Sequence, residues 1–163
     1  MKKPGAESYE RFADMFSCAS QKSGKEQHLV PYYISGHPGS TTHSMIELAL
    51  YLKKRGLRPR QVQDFIPTPR SMATSMYVTG LDPFTQDPVY VAKGLREKRM
   101  QTALLQYWDV DQHDLAREAL IKAKRGDLLG SSERHLVPPA TGKGALSIHE
   151  RRRRQRRGKP TRR

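Results

Sequence analysis

The sequence predicts an α/β fold, in which one strand–helix–strand (βαβ) unit is followed by a small helical region and a disordered basic tail. Two segments rich in β-branched and aromatic residues, 29–35 and 61–66, flank an apolar stripe of helical period at 45–52. The first segment lacks the alternation of a half-buried strand, which is typical of a strand covered on both faces. A helix between two such strands requires them to run parallel, with a right-handed crossover.

A helix is predicted before the βαβ unit, over residues 6–23, and Gly24 is placed to end it. Cys18 is assigned to the apolar side of this helix, where a free cysteine packs as a small hydrophobic residue. The apolar stripe of the helix consists of Tyr9, Phe12, Ala13, Phe16 and Ala19.

The βαβ unit begins with the predicted strand at 29–35, in which Pro31 removes a ladder donor and therefore lies near the start or the edge. After the loop 36–42, the predicted helix has capping-box spacing at Ser44 and Glu47, while residues 40–42 are equally good caps. Its buried stripe consists of Met45, Ile46, Leu48, Ala49 and Leu52.

The helix of the βαβ unit ends in a basic turn at 53–55 and at Gly56, since cations favour the negative end of a helix. The second strand, 61–66, is stopped by prolines at 67 and 69. A short helix is then predicted at 71–79, ending at Gly80. Three of its side chains are expected to face inward, namely Met72, Met76 and Tyr77.

The helical region is predicted to hold a short strand at 89–91 and two helices, 95–108 and 112–125. Asp111 is the predicted cap of the second helix, Gly126 is predicted to end it, and 135–139 is an extended piece. The predicted buried residues of the two helices are Leu95, Met100, Ala103, Leu104, Tyr107, Leu115, Ala116, Ala119 and Leu120. The domain boundaries follow as 1–80, 81–139 and 140–163.

Composition limits the size of the core and excludes several classes of site. Apolar residues make up 36% of the 163 residues, below the roughly 45–50% of globular domains. No apolar run approaches a membrane span and no apolar segment follows the basic start, so we expect a cytoplasmic protein without membrane contact. A single cysteine, Cys18, excludes an intrachain disulfide and a cysteine-based metal site built from this chain alone.

Positive charge is concentrated in the tail. Residues 1–142 hold 20 Lys/Arg against 15 Asp/Glu, whereas 143–163 hold 10 against one, and the whole chain has a net charge of +14. Such a run attracts phosphate backbones weakly and without sequence preference, and no aromatic residue is interleaved for base stacking. Two interpretations stay open: a solvated tail, or a nucleic-acid arm. The residues of the arm would be Arg151, Arg152, Arg153, Arg154, Arg156 and Arg157.

The loop after the first predicted strand is the best candidate for ligand binding. It reads Gly36-His37-Pro38-Gly39-Ser40 and joins the carboxyl end of a strand to the amino end of a helix, the edge where ligands gather in open α/β folds and barrels. It matches neither GxGxxG nor GxxxxGK[ST]. A plain βα turn is the alternative, in which His37 stabilises the turn instead of carrying protons.

Several longer strings resemble the YgiQ-type (UPF0313) radical S-adenosylmethionine (SAM) proteins. They are 24–39 (GKEQHLVPYYISGHPG), 61–69 (QVQDFIPTP), 73–80 (ATSMYVTG), 103–109 (ALLQYWD) and 117–120 (REAL). The resemblance implies an enzyme family in which a [4Fe–4S] cluster, held by CxxxCxxC, cleaves SAM during radical chemistry on a substrate that is not established. It also implies that 29–66 is the last βαβ unit of a partial TIM barrel. The turn at 36–40 would then lie near SAM.

The CxxxCxxC motif is absent from this sequence. We therefore expect a truncated or separately encoded carboxy-terminal piece that is inactive by itself, with an amino-terminal half bearing the cluster as its partner. No cofactor is expected in this chain; SAM and [4Fe–4S] are implied for the full-length family. The alternative function is a small RNA- or ribosome-associated protein that binds through its tail. A degraded remnant without a selected function is the third possibility.

Overall fold

The computed structural model describes residues 6–140, which divide into two compact units at the bond between Tyr32 and Tyr33. The first unit holds α1 (Ala6–Ser23). The second holds β1 (Tyr33–Ser35), α2 (Thr42–Lys54), β2 (Val62–Asp64), α3 (Met72–Thr79), α4 (Leu95–Leu105) and α5 (His113–Lys122), with 3₁₀ turns at Val110–Gln112 and Gly126–Leu128. The predicted tail from residue 141 onward lies outside the described residues.

The two strands pair in parallel, so the predicted βαβ unit is confirmed. Tyr33 lies opposite Val62, and Ser35 lies opposite Asp64. Both strands are shorter than the predicted ranges 29–35 and 61–66. Pro31 cannot donate to a ladder, and the side chain of Val30 is 88% exposed, so the first strand begins only at Tyr33.

The main core lies between α2, α4 and α5. The predicted face of α2 is confirmed, and α4 packs against α2, α5 and both strands. The helical region after residue 80 therefore shares one core with the βαβ unit. The prediction that Leu95 is buried is wrong, because this residue is the first of α4 and is 61% exposed. The core residues of these helices are Met45, Ile46, Ala49, Leu52, Met100, Ala103, Leu104, Leu105, Ala116, Ala119 and Leu120.

The inward orientation predicted for α3 is wrong for Met72 and only partly correct for Met76 and Tyr77. Met72 is 57% exposed, Met76 and Tyr77 are only half-buried, and none of the residues of this helix is buried. The helix itself is correctly bounded: the Ser71 side chain caps its start, and Gly80 ends it with a left-handed φ of 72°.

The strand predicted at 89–91 does not form. Leu81 and Pro88 make an isolated antiparallel bridge instead, and the backbone groups of the predicted strand serve two different turns. The amide of Val89 donates to the Gly80 carbonyl at 2.7 Å, while the Tyr90 carbonyl accepts from Gly39 at 2.8 Å. Hydrogen bonds in two directions prevent one continuous ladder.

The ends of the remaining elements differ from the sequence-based bounds by a few residues. Thr41 is the cap that the structure selects for α2, since its hydroxyl accepts from the Ser44 amide at 3.1 Å. Asp109, not Asp111, caps the 3₁₀ turn that leads into α5. The end predicted at Gly126 is wrong: α5 stops at Lys122, and Gly126 begins the next 3₁₀ turn.

The first unit confirms the predicted helix and corrects the placement of its cysteine. Cys18 is exposed, because it lies two residues after Phe16 and so about 200° around the helix from it. Phe12 and Phe16 remain neighbours on one face, with ring centroids 6.3 Å apart. Among the described residues, no helix combines the length and the apolar character needed to cross a bilayer.

Glu118 of α5 provides a test of surface electrostatics. Arg96 binds it through two hydrogen bonds of 2.9 and 2.6 Å, and Lys122 lies 3.0 Å from it. These hydrogen bonds lower the pKa of Glu118 from 4.5 to about 2. The hydrogen bonding from Arg96 has the largest effect. Because the pKa of this carboxyl group is lower in the folded protein than in the unfolded chain, the group stabilises the fold at pH values above its unfolded-state pKa. That stability is lost as the pH falls toward its folded-state pKa.

We expect Glu118→Gln to destabilise the protein at pH 7 by a few tenths to about 1 kcal/mol, as is usual for exposed pairs. The difference from the wild type should shrink as the pH falls from about 5 to 2, where the wild-type carboxylate is protonated as well. Urea unfolding at several pH values measures this. A difference that is constant with pH would show that the ion pairs contribute no stability.

Candidate functional site

The turn Gly36-His37-Pro38-Gly39-Ser40 lies where the sequence placed it, between the carboxyl end of β1 and the start of α2. Gly36, His37 and Pro38 are buried, Gly39 is exposed and Ser40 is half-buried. The turn therefore presents its second half to the surface, while its first half packs into the protein.

Gln101 of α4 connects the two ends of this turn. The side chain is fully buried; its Oε1 accepts from the Gly36 amide at 2.7 Å, and its Nε2 donates to the Ser40 carbonyl at 2.8 Å. One planar amide thus pairs the buried Gly36 amide, which would otherwise be unsatisfied, and also the carbonyl of the half-buried Ser40. Sequence reasoning missed Gln101, although a polar residue on the apolar stripe beside Leu104 and Leu105 was a visible signal.

A second polar group joins the ends of both strands to α4. The fully buried Ser35 hydroxyl lies 2.6 Å from Asp64 Oδ1 and 2.9 Å from the Thr102 hydroxyl. The Thr102 hydroxyl lies 3.3 Å from the same carboxylate oxygen. An ionised carboxylate only accepts, so the Ser35 hydroxyl donates to it. The single proton of the Thr102 hydroxyl has two acceptors within reach, this carboxylate and the Lys98 carbonyl at 3.2 Å. Sequence reasoning missed all three residues.

Three backbone amides of the turn are engaged within the protein. Besides the Gly36 amide, the Gly39 amide donates to the Tyr90 carbonyl at 2.8 Å and that of Ser40 to the His37 carbonyl at 2.9 Å. The His37 Nδ1 lies 2.7 Å from the Pro38 carbonyl, which only accepts, so Nδ1 carries the proton. These bonds hold the turn in one conformation and leave ligand contacts to side chains and to its exposed half.

An aromatic row ending in a cation borders the turn. The His37 and Phe65 rings meet edge to face at 5.0 Å, and the Phe65 and Tyr77 rings lie 5.6 Å apart. The Lys98 ammonium is 5.0 Å from the Tyr77 ring centroid and donates to its hydroxyl at 3.3 Å. We call the whole set the carboxyl-edge cluster: Ser35, Gly36, His37, Ser40, Asp64, Phe65, Tyr77, Lys98, Gln101 and Thr102.

Gly36 is the point where this cluster requires glycine. Its φ is +67°, and a Cβ would lie 3.2 Å from Cγ of Lys98. Gly36→Ala should therefore cost about 1–2 kcal/mol, since an L side chain is disfavoured at positive φ. Gly39→Ala is the matched control, because Gly39 has a φ of +86° but nothing within 4 Å of a Cβ. Thermal unfolding should show the greater loss for Gly36→Ala; equal losses would show that Lys98 adapts freely.

The other predicted sites concern the basic tail and metal binding. Arg151, Arg152, Arg153, Arg154, Arg156 and Arg157 lie outside the described residues. Within residues 6–140, no three His, Cys, Asp or Glu side chains come together in a way that could hold a metal ion. An iron–sulfur cluster needs several thiolates, so the one cysteine, Cys18, does not fit such a cluster.

Comparison with known proteins assigns the chain to a family. The family described as "Domain of unknown function (DUF3362)" matches residues 60–163, more than half of the sequence. The chain belongs to the DUF3362 family. The DUF3362 region supplies Asp64, Lys98 and Gln101 to the carboxyl-edge cluster, while the turn that Gln101 holds precedes that region. No solved structure matches.

Curated relatives of this DUF3362 protein are named UPF0313 proteins, which confirms the predicted resemblance. The relative from Clostridium botulinum strain Loch Maree is 51% identical over 138 residues, covering 85% of this chain and 21% of the relative. That from Methanosarcina mazei is 50% identical over 137 residues, covering 84% and 22%. That from Methanocella arvoryzae is 45% identical over 139 residues, covering 85% and 23%. The chain thus spans about a fifth of the length of these relatives.

Proposed function

We propose that this chain is the carboxy-terminal part of a UPF0313 radical SAM protein, in which it supplies one wall of the SAM site. The carboxyl-edge cluster carries this proposal. It lies at the carboxyl ends of two parallel strands, the edge that binds ligands in barrels and open α/β sheets. In the whole protein, β1 and β2 are the last strands of a partial TIM barrel.

The chemistry of the cluster fits the parts of SAM. The Lys98 ammonium suits the carboxylate of SAM, the Asp64 carboxylate suits an ammonium or ribose hydroxyls, and the His37–Phe65–Tyr77 row suits an adenine ring. The exposed Gly39 and the half-buried Ser40 would contact the ligand directly. Gln101 is a positioning residue, which keeps the turn in its binding conformation before SAM arrives.

The iron–sulfur cluster does not fit this chain, so we assign it to another part of the full-length protein. Bound there, the cluster would supply the reducing chemistry that radical SAM proteins use. The role of this chain is to bind and orient SAM and to exclude water beside it. By itself the chain is therefore inactive.

Association tests this proposal first. We would co-express the full chain with the Clostridium botulinum UPF0313 protein from which the matched 138-residue segment has been removed. We expect the two to co-purify in equal amounts. If the shortened relative does not fold alone, a covalent chimera carrying this chain in place of that segment provides the second test. A chimera that folds but does not bind SAM would contradict the proposal.

The basic tail favours a second candidate function, an RNA- or ribosome-associated role. The DUF3362 match runs to residue 163 and therefore includes the arginines at 151–157. RNA affinity should then fall steeply with salt and weaken when residues 150–163 are deleted. A filter-binding assay between 50 and 200 mM salt measures this; affinity independent of the tail would exclude it.

A further inference from the structure

The stretch from the middle of α2 into β2, residues 48–63, holds a concentration of positive charge that the proposed function does not use. Residues 48–63 contain five Lys/Arg and no Asp/Glu, whereas the described residues 6–140 contain 18 against 15. Without this segment, the described residues would hold 13 against 15, a net charge of −2. The net positive charge of the described region therefore depends on this one segment, although 13 of its 18 Lys/Arg lie elsewhere.

Three consecutive side chains fix the backbone of this segment. Gln106, Tyr107 and Trp108 donate to the carbonyls of Arg60, Leu57 and Pro59, respectively, each at 3.1 Å. Pro59 is buried and Leu57 is half-buried, so the side chains of the segment also pack against the protein. Its cations consequently project from a fixed backbone, and binding a ligand through them would not require the backbone to be ordered first.

Four cations of the segment face solvent. We call Lys54, Arg55, Arg58 and Arg60, all exposed, the basic loop. Across the part of the chain that the structure describes, no ion pair involves Lys54, Arg58 or Arg60. The helix dipole accounts for cations at the end of α2, but Arg58 and Arg60 lie beyond that helix.

We infer that the basic loop binds the phosphate backbone of RNA without sequence preference. Exposed guanidinium groups match phosphate oxygens in pairs, and several fixed cations together suit a polyanion better than a single phosphate. The loop exposes no large apolar side chain that could insert into a bilayer, which favours nucleic acid over a membrane surface. It begins at the end of α2 and precedes β2, at the sheet edge opposite the carboxyl-edge cluster, so RNA and the SAM site would not compete.

The test uses the full chain and a fluorescein-labelled single-stranded RNA of about 20 uridines, followed by fluorescence anisotropy. The loop variant is Lys54→Gln, Arg55→Gln, Arg58→Gln and Arg60→Gln. The control removes the same charge at exposed positions elsewhere: Lys22→Gln, Lys25→Gln, Lys93→Gln and Arg134→Gln. A third variant lacks residues 150–163. Circular dichroism melts check that all variants remain folded.

We expect the loop variant to bind RNA on the order of 10- to 100-fold more weakly at 100 mM salt. The slope of log affinity against log salt should fall by about 2–3, since each phosphate contact contributes roughly 0.7. The control should change affinity less than about threefold, since distant charges are screened. The variant without the tail should keep a salt-dependent affinity that the loop substitutions then remove.

Three results would overturn the inference. Equal losses in the loop variant and the control would mean that net charge alone governs binding. Complete loss on deleting the tail, with the loop intact, would place all binding in the tail. The third result would come from binding to vesicles that contain phosphatidylserine. If the loop variant loses vesicle binding but keeps RNA binding, the loop recognises lipid headgroups.

Discussion

Replacing Gln101 by leucine should lower the free energy of unfolding by about 2–4 kcal/mol. The substitution removes the acceptor of the buried Gly36 amide, and leaving a buried group unpaired costs about 1–3 kcal/mol. It also removes the donor to the carbonyl of the half-buried Ser40, which adds a smaller loss. Leucine has a similar volume, so packing changes contribute little. Urea unfolding followed by the fluorescence of Trp108, the one tryptophan of the chain, measures the effect.

The exposed Gln61 provides the matched control. Gln61→Leu makes the same chemical change without removing a buried hydrogen bond, and its effect should stay within about 0.5 kcal/mol. Hydrogen exchange adds a local measurement, since the Gly36 amide should lose its protection in Gln101→Leu. Equal stabilities for the two variants would mean that the turn does not depend on Gln101.

Replacing Leu104 by alanine should lower the free energy of unfolding by about 2–5 kcal/mol. Leu104 is fully buried in the core formed by α2, α4 and α5, and a leucine-to-alanine change there removes apolar contact and leaves a cavity. Differential scanning calorimetry would record one lowered transition for α2, α4 and α5 together, because these helices share the core.

Leu95→Ala is the control within the same helix, since Leu95 is 61% exposed. Its cost should stay within about 0.5–1 kcal/mol. If Leu104→Ala cost no more than Leu95→Ala, α4 would not be part of the common core. Two separate transitions would likewise contradict a single core shared by the βαβ unit and the helical region.

The elements that depend on local patterns could be predicted from the sequence. The apolar stripe of α2 has a helical period, and the parallel pair follows from a strand–helix–strand order with a helix between. The error in α3 has a different origin. Met72 and Met76 have helical spacing, but the sequence does not say whether another element covers the helix, and in the described residues none buries it.

The candidate site was predicted in part. The turn at 36–40 could be located because glycines follow a strand and precede a helix. The residues that bind the turn and the end of β1 could not be predicted, because they are distant in sequence. Gln101 lies 65 residues after Gly36, and Thr102 lies 67 residues after Ser35. A buried polar network depends on how α4 packs across the sheet, and no local pattern in the sequence encodes that packing.

We propose that this chain supplies a wall of the SAM site in a UPF0313 protein. The reductive cleavage of SAM, measured as methionine release in the presence of dithionite, tests this most directly. We predict that the co-expressed complex releases methionine, that neither polypeptide does so alone, and that Gln101→Leu raises the KM for SAM. Equal methionine release by the shortened relative with and without this chain would contradict the claim.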